Sequence, residues 1–324
     1  MNSRFGNPVP YGRTAVRPAY DDLPELVRTD IAARLGSDPV AIDAATGGFT
    51  GGFAGVLTAA DGNRLFVKVA GPHTPLVVDA YSREAHLNPA LPPQVPAPRL
   101  RFAAQIDGWV ALGMEPVTGR APQLPLSPRE LALLLDAWAQ AARALSPAPR
   151  NLIALGLQDF VDVSDQFTQF AKVGSGDVPP EDLPDNAVSR LSELIDLENG
   201  FPDAMRGDAV MHGDLRPDNM ILGADRAWIC DWNFSCLGPV WFDTVSLLII
   251  AHGDGHDAER LFWTHPTSRG VSSDELDAAL AGIAGYYLCK SSEPPLERVS
   301  PYIRQHQRWS GLVTLDWLSQ RRGW

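Results

Sequence analysis

The sequence predicts an α+β fold in which a strand-rich first third precedes a helix-rich remainder. Two features carry that expectation. Short apolar runs separated by glycines crowd residues 40–117, and from residue 127 onward the apolar spacing is mostly helical. The change of character after Met114 sets a boundary near residues 114–119.

Taken in order, the first element is a helix over 21–35, with Leu23, Leu26, Val27, Ile31 and Leu35 at helical spacing and Gly36 as its stop. Three β-like runs follow, VAIDAATGG, GGFAGVLTAADG and NRLFVKVAG, with a turn at Asp61-Gly62, and they read as an antiparallel meander. A helix is expected over 79–91. The runs RLRFAAQ and WVALGMEPV form a further hairpin closed near Asp107-Gly108. Pro128 opens a long helix over 127–145. Loops and two helices, near 158–172 and 187–198, lead to short strands at 219–222 and 227–230. Helices over 241–252, 257–264, 273–290 and 299–322 complete the chain. Residues 1–20 carry no such pattern and read as a mobile tail.

Composition narrows the function. The 324 residues are 45% apolar and 20% charged, an ordinary globular balance, with a net charge of −12. An acidic chain is a poor partner for nucleic acid or anionic membrane, both of which select basic surfaces. No apolar run reaches a bilayer span, the longest being near 244–251, and the first twenty residues lack the apolar stretch of a signal peptide. The three cysteines, Cys230, Cys236 and Cys289, show no CxxC spacing and read as core thiols of a cytoplasmic protein. HExxH and GxSxG are both absent, which argues against zinc proteolysis and the usual hydrolase elbow. Trp232, Trp241, Trp309 and Trp317 sit at core spacing.

The chemistry concentrates in VMHGDLRPDNMIL, residues 210–222. Asp214 and Asn219 lie five apart on a turn, and Asp231 ends the second of the two strands that follow. Antiparallel pairing of those strands brings Asn219 and Asp231 together. An amide oxygen and a carboxylate form a hard oxygen site suited to Mg²⁺ carrying phosphates. Asp214 then remains as a free carboxylate able to accept a hydroxyl proton. Upstream, Lys68 interrupts the apolar strand LFVKVAG, where an unpaired ammonium would be costly. Glu84, in SREAHL, is the natural partner. The glycines of TGGFTGGFAGVL allow backbone N–H groups to approach phosphates, although tight turns use glycine as readily. Asp218 reads as a loop cap or a second metal ligand, and Arg216 as a phosphate contact or a surface ion pair.

HGDLRPDNMIL, ICDWNFSCLGPVWFD and LDWLSQRR together resemble the aminoglycoside phosphotransferase and choline-kinase branch of the protein-kinase-like superfamily. The resemblance covers roughly residues 40–322. It implies a two-lobed protein-kinase-like fold, an N-terminal antiparallel sheet plus helix and a mostly helical C-terminal lobe. It further implies a nucleotide-binding lobe over 21–114, a hinge over 115–118 and a catalytic and acceptor-binding lobe over 119–324. By the same resemblance Asp214 is the catalytic base and Asn219 and Asp231 bind metal. His212, Arg216 and Asp243 support the loop. Gly48, Gly51, Gly52 and Lys68 hold the phosphates, Glu84 belongs to the same nucleotide site as the partner of Lys68, and Met114, Glu115 and Val117 meet the adenine. The expected cofactors are Mg²⁺ and ATP, with GTP as the alternative.

The function implied is transfer of a γ-phosphate to a hydroxyl of a small molecule, foremost an antibiotic such as an aminoglycoside, nucleoside or other natural product, in antibiotic resistance or self-protection. Choline, homoserine or a sugar is the alternative acceptor, and a pseudokinase is the reading from another class. A protein kinase fits poorly, because only eleven residues separate Asp231 from Asp243 and no APE triplet follows. The expected partner is a hydroxylated acceptor, cationic or uncharged, and the chain is expected as a monomer or homodimer. Between Leu157 and Asp208, twelve Asp and Glu face three Lys and Arg. They form either an acidic acceptor wall or a solvated surface.

Overall fold

In the computed structural model, which describes residues 5–6, 9–179 and 183–324, the first lobe is a five-stranded antiparallel sheet between two helices. The strands are β1 (Ala41–Ala44), β2 (Phe53–Thr58), β3 (Arg64–Ala70), β4 (Leu100–Ile106) and β5 (Trp109–Met114), in the order β1-β2-β3-β5-β4. The two helices are α1 (Glu25–Leu35) and α2 (Pro75–Leu87). Alternation along β3 assigns the faces. Leu65, Val67 and Val69 pack with Val27, Ile31 and Leu35 of α1. Ala70, with Leu112 and Val110 of β5, packs with Val77 and Tyr81 of α2. Lys68, two residues before Ala70 and paired in register with Leu112, therefore faces α2. A one-residue slip would turn it toward α1.

The helix expected over 79–91 begins earlier, with Pro75 at its first turn. It yields to a 3₁₀ turn at Asn88–Ala90, where Pro89 cannot continue the ladder. The chain leaves β5 at Met114 and enters the second lobe through 115–120, where Arg120 and Leu222 exchange backbone hydrogen bonds of 2.9 and 2.8 Å.

The second lobe is built on α3 (Pro128–Leu145), whose Ser127 and Glu130 form a capping box. Short helices α4 (Arg150–Ile153), α5 (Gln169–Ser175), α6 (Asp185–Ser189), α7 (Leu191–Glu198) and α8 (Phe201–Ala204) follow. They correct two expectations. The region near 158–172 is a 3₁₀ run, Phe160–Phe167, broken from α5 at Thr168, and the helix near 187–198 is interrupted at Arg190, whose φ and ψ of −114° and 15° leave the helical region.

Two small ladders carry the polar turn. The pair β7 (Met220–Leu222) and β8 (Ala227–Ile229) matches the expected hairpin, while β6 (Ala209–Met211) and β9 (Cys236–Gly238) were not legible in sequence. No tight turn joins β6 to β9 to mark them as a pair, as the turn between Leu222 and Ala227 does for β7 and β8. The long helices α9 (Trp241–Gly253), α11 (Ser273–Ser291) and α12 (Ile303–Arg322), with the shorter α10 (Ala258–Thr264), enclose the larger core. Trp232, Trp241, Trp309 and Trp317 are all buried in it. The last helix starts at Ile303 rather than 299 because Pro301 lies in the preceding turn. Among the described residues, no helix is long and apolar enough to cross a membrane.

The expected tail behaves differently where it is described. Thr14 is fully buried, its Oγ1 accepts from the Gly48 N–H at 3.1 Å, and its carbonyl accepts from Ser300 Oγ at 2.5 Å. The Tyr11 hydroxyl meets His306 Nδ1 of α12 at 2.7 Å. This stretch spends its polar groups on the glycine-rich loop and on the second lobe. It has no amphipathic period, so its order could not be read from sequence.

Candidate active site

The polar turn sits between β6 and β7, where backbone geometry fixes each side chain. Gly213 has φ of +80°, and a Cβ there would collide with the Phe234 carbonyl, so only glycine serves between His212 and Asp214. Asp243, at the start of α9, accepts from the backbone N–H groups of His212 at 2.8 Å and Gly213 at 3.0 Å. It braces the turn from below. Burial pushes its carboxyl up to about 7, against the pull of those two N–H groups.

His212 is buried and its tautomer follows from its partners. Nε2 lies 2.8 Å from the Cys230 carbonyl, which can only accept, so Nε2 carries the proton. Nδ1 then accepts from the Asp214 N–H at 3.3 Å. Burial depresses the imidazole to about 4, which keeps it neutral. His212 thus ties the turn to the Cys230–Asp231 segment.

The Asp214 carboxylate is not free. Oδ1 accepts from Arg216 Nη1 at 2.8 Å and Oδ2 from Asn219 Nδ2 at 3.1 Å. Burial, partly offset by Arg216, raises its carboxyl to about 6. Arg216 also grips Asp218 through Nε and Nη2, both at 3.0 Å. Arg216 and Asp218 thus form a largely buried ion pair, where the sequence offered Arg216 a surface one. Asn219 spends its amide hydrogens on Asp214, which leaves Oδ1 for another partner.

Asp231 lies beyond the end of β8, in the left-handed region at φ 62°, ψ 52°, an uncommon conformation for a non-glycine residue. Lys68 Nζ is 2.6 Å from Glu84 Oε2 and also pairs with Asp231 Oδ1, so the two lobes meet through one ammonium. Burial would lower the Lys68 pKa, but Asp231 and then Glu84 outweigh it and raise it. The Asp231 carboxyl is held low by Lys68 against the effect of burial, whereas burial dominates at Glu84 and raises it.

A cavity of about 1170 Å³ opens over this turn, lined by Gly48, Asp214, Arg216, Asn219 and Asp231 among others. The remaining expected residues stand around it. Lys68, Glu84, His212 and Asp243 support it from behind; Met114, Glu115 and Val117 lie outside its lining. Gly51 and Gly52 are packed instead: a Cβ would strike the Arg298 carbonyl at the first and lie 2.8 Å from the Val69 carbonyl at the second.

Arg17 and Phe49, beside the turn, are among the lining residues that escaped the sequence reading. Arg17 donates to the carbonyls of Gly52 at 2.6 Å and Gly47 at 3.0 Å, and its charge helps lower the Asp231 carboxyl. Phe49, at the tip of the glycine-rich loop, lies under the Arg216 guanidinium at 5.4 Å. A charged residue in a supposed tail gave no signal; an aromatic between glycine pairs was the only one available.

Among the described residues, no group of three or more His, Cys, Asp or Glu side chains could hold a metal alone. One carboxylate, Asp231, and one amide oxygen, Asn219, on a shared cavity wall fit a hard cation that takes its other ligands from phosphates and water. Mg²⁺ is commonly bound that way.

The two lobes, the ammonium bridging two carboxylates and the Asp–Asn turn define a kinase-like phosphotransferase. The model of the Phosphotransferase enzyme family matches residues 49–287, and the chain belongs to that family. No curated protein matches it. Among solved structures, a thermostable mutant of aminoglycoside phosphotransferase APH(4)-Ia, in ternary complex with ADP and hygromycin B, aligns with TM-score 0.61 at 12% identity, covering 91% of this chain and 98% of its own. Macrolide 2'-phosphotransferase MphH from Brachybacterium faecium aligns with TM-score 0.53 at 18% identity, covering 87% and 96%. Amicoumacin kinase hAmiN, in complex with AMP-PNP, Ca²⁺ and Ami, aligns with TM-score 0.52 at 10% identity, covering 82% and 86%. At these identities the likeness is one of fold.

Proposed function

We propose that this protein transfers the γ-phosphate of ATP to a hydroxyl of a small natural product such as an antibiotic. The observation that carries the reading is the convergence of Asp214, Asn219 and Asp231 on one cavity, with the Lys68–Glu84 pair behind it. Asn219 Oδ1 and the Asp231 carboxylate would hold Mg²⁺, which neutralises phosphate charge and orients the γ-phosphate. Lys68 moves from Asp231 to the α/β-phosphates while Glu84 keeps it in place. Arg17 would add positive charge beside the phosphates, Gly48, Gly51 and Gly52 shape the loop over them, and the 114–117 backbone would take the adenine at a hinge over 115–118.

Asp214 acts as the base. As the acceptor oxygen bonds to Pγ, its proton passes to the Asp214 carboxylate, the bond from Pγ to the β-bridging oxygen breaks, and ADP leaves with that electron pair. Arg216 and Asn219 aim the carboxylate, and Asp243 and His212 hold the turn in shape. A base contributes about 10²–10⁴ in rate, with positioning supplying much of the rest of phosphoryl transfer. A cytoplasmic setting, where ATP is supplied, goes with this reading. The named substrates of the solved relatives, hygromycin B and macrolides, favour a secondary metabolite over a primary one.

The test is incubation of the full chain with Mg·ATP and a panel of hydroxylated antibiotics, nucleosides, sugars and amino alcohols. Mass spectrometry reads for a product carrying one added phosphoryl group. A stoichiometric product with ADP release is expected. ADP release that no panel member stimulates, with no phosphorylated product, would contradict the reading.

A further inference from the structure

A second part of the cavity wall differs in chemistry from the turn. It is lined by Phe160, Val163, Phe167, Phe242, Ile283 and Tyr286. Phe167 and Tyr286 stack with centroids 5.0 Å apart and 30° between planes, and behind Phe167 the fully buried Phe201 stacks at 4.7 Å and 15°. Phe160 and Phe242 close the plate at 4.9 Å. Phe201 is ordinary core; Phe167, with a ring stacked on each face, brings its edge to the cavity, and Tyr286 lines the cavity beside it, both part-buried. Two more apolar residues sit at the mouth, Phe234 at 52% and Leu155 at 42% exposure.

The plate adjoins the reacting end. Tyr286 and Asp214 line the same cavity, and after burial the Asp214 charge helps to raise the Tyr286 hydroxyl. A hydroxyl presented to Asp214 thus belongs to a molecule whose body rests on Phe167 and Tyr286.

The acidic segment does not supply a counter-wall. Of its twelve carboxylates, Glu181 and Asp182 lie outside the described residues, and of the other ten only Asp159 lines the cavity. Glu198 is buried, accepting from the Phe170 and Ala171 N–H groups at the start of α5. Glu193 and Asp203 pair with Arg190 and Arg206 on the surface. The remaining carboxylates in the lining are Asp79, Asp214 and Asp231, set against Arg17, Arg83 and Arg216. A molecule with four or five ammonium groups would lose hydration at each without gaining a partner for each.

Resting on the phosphotransferase reading, we propose that the acceptor is a hydroxylated molecule with a broad apolar or aromatic face, laid on Phe167 and Tyr286, with at most one cationic group, which Asp159 receives. Polycationic amino sugars are excluded by the same wall. The apolar mouth formed by Leu155 and Phe234 receives the part of the molecule that extends beyond the rings.

The experiment saturates the full chain with Mg·AMP-PNP, so that the adenine site is filled, and titrates two probes. One is the neutral fluorophore N-phenyl-1-naphthylamine; the other is kanamycin, a polycation, followed by calorimetry. The fluorophore is expected to brighten saturably, with an affinity that does not change between low and high salt. Tyr286→Ala and the mouth variant Leu155→Asp, whose exposed position tolerates the change in folding, should each weaken it by about tenfold, as removal of an apolar contact surface does. Kanamycin is expected to show no saturable heat. Saturable, salt-sensitive kanamycin binding would overturn the proposal, as would a fluorophore signal that is absent or the same in both variants. The AMP-PNP titration on the same samples reads the parent function separately. Its loss would sink the phosphotransferase reading, whereas intact nucleotide binding without probe binding would sink only the acceptor class.

Discussion

At the turn end of the cleft the charges form two clusters, Lys68 with Glu84 and Asp231, and Arg216 with Asp214 and Asp218, each buried or part-buried and each compensated by a neighbour. At the aromatic end, Phe167, Tyr286, Phe160 and Phe242 meet through ring faces and edges with little charge among them. The first arrangement is intolerant. Removing one partner strands a charge in a low-dielectric site, so identity and spacing are both fixed. The second tolerates change, because any ring or branched side chain of similar volume fills the same wall. On the proposed reading, one end sets the reaction and the other sets what is reacted.

The largest effect is expected at Asp214. Asp214→Ala should lower turnover by about 10²–10⁴ while Mg·ATP still binds, because the base is lost but the phosphate contacts remain. Steady-state kinetics with the acceptor found by the panel checks this, and near-normal turnover would move the base elsewhere.

Next comes the ammonium between the lobes. Lys68→Met leaves Glu84 buried without its partner and should cost about 3–5 kcal/mol of folding stability. Urea denaturation reads the difference. An unchanged midpoint would mean that Glu84 is satisfied in some other way.

A smaller effect concerns pH. Burial holds the Asp214 carboxyl up at about 6, and only the ionised form accepts a proton. The value of kcat/KM should therefore rise with pH through about 6 and level off above it. A profile with no acid limb in that range would show that ionisation of Asp214 does not control the step.

The smallest effect separates the two ends by salt. With Asp159 as the segment's lone carboxylate in the described lining, acceptor KM should stay nearly flat as ionic strength increases. A steep rise in KM would restore the acidic wall.

The same contrast explains what could be read from sequence. The HGD turn, Asn219, Asp231, Lys68 and Glu84 were legible because compensated charge demands particular residue types at particular separations, and the structure brings them together. The sheet was legible through its glycine-bounded apolar runs. Phe160, Phe167, Phe242 and Tyr286 were not. They come from four separate segments, and in each one the ring is indistinguishable from a core residue. Arg17 was missed because its role depends on a loop thirty residues away, reached by a stretch with no period. The acidity of 157–208 was visible, but its direction was not. Helix capping at Glu198 and surface pairs at Glu193 and Asp203 turn those carboxylates away from the cleft.

The most direct measurement is calorimetric titration of AMP-PNP into the wild-type chain and into Asp231→Ala, each with and without Mg²⁺. The predicted result is tighter binding with Mg²⁺ in the wild type and loss of that gain in Asp231→Ala, with Asn219→Ala between them. Equal affinity with and without the metal in the wild type would contradict a Mg²⁺-nucleotide site at the charged end of the cleft.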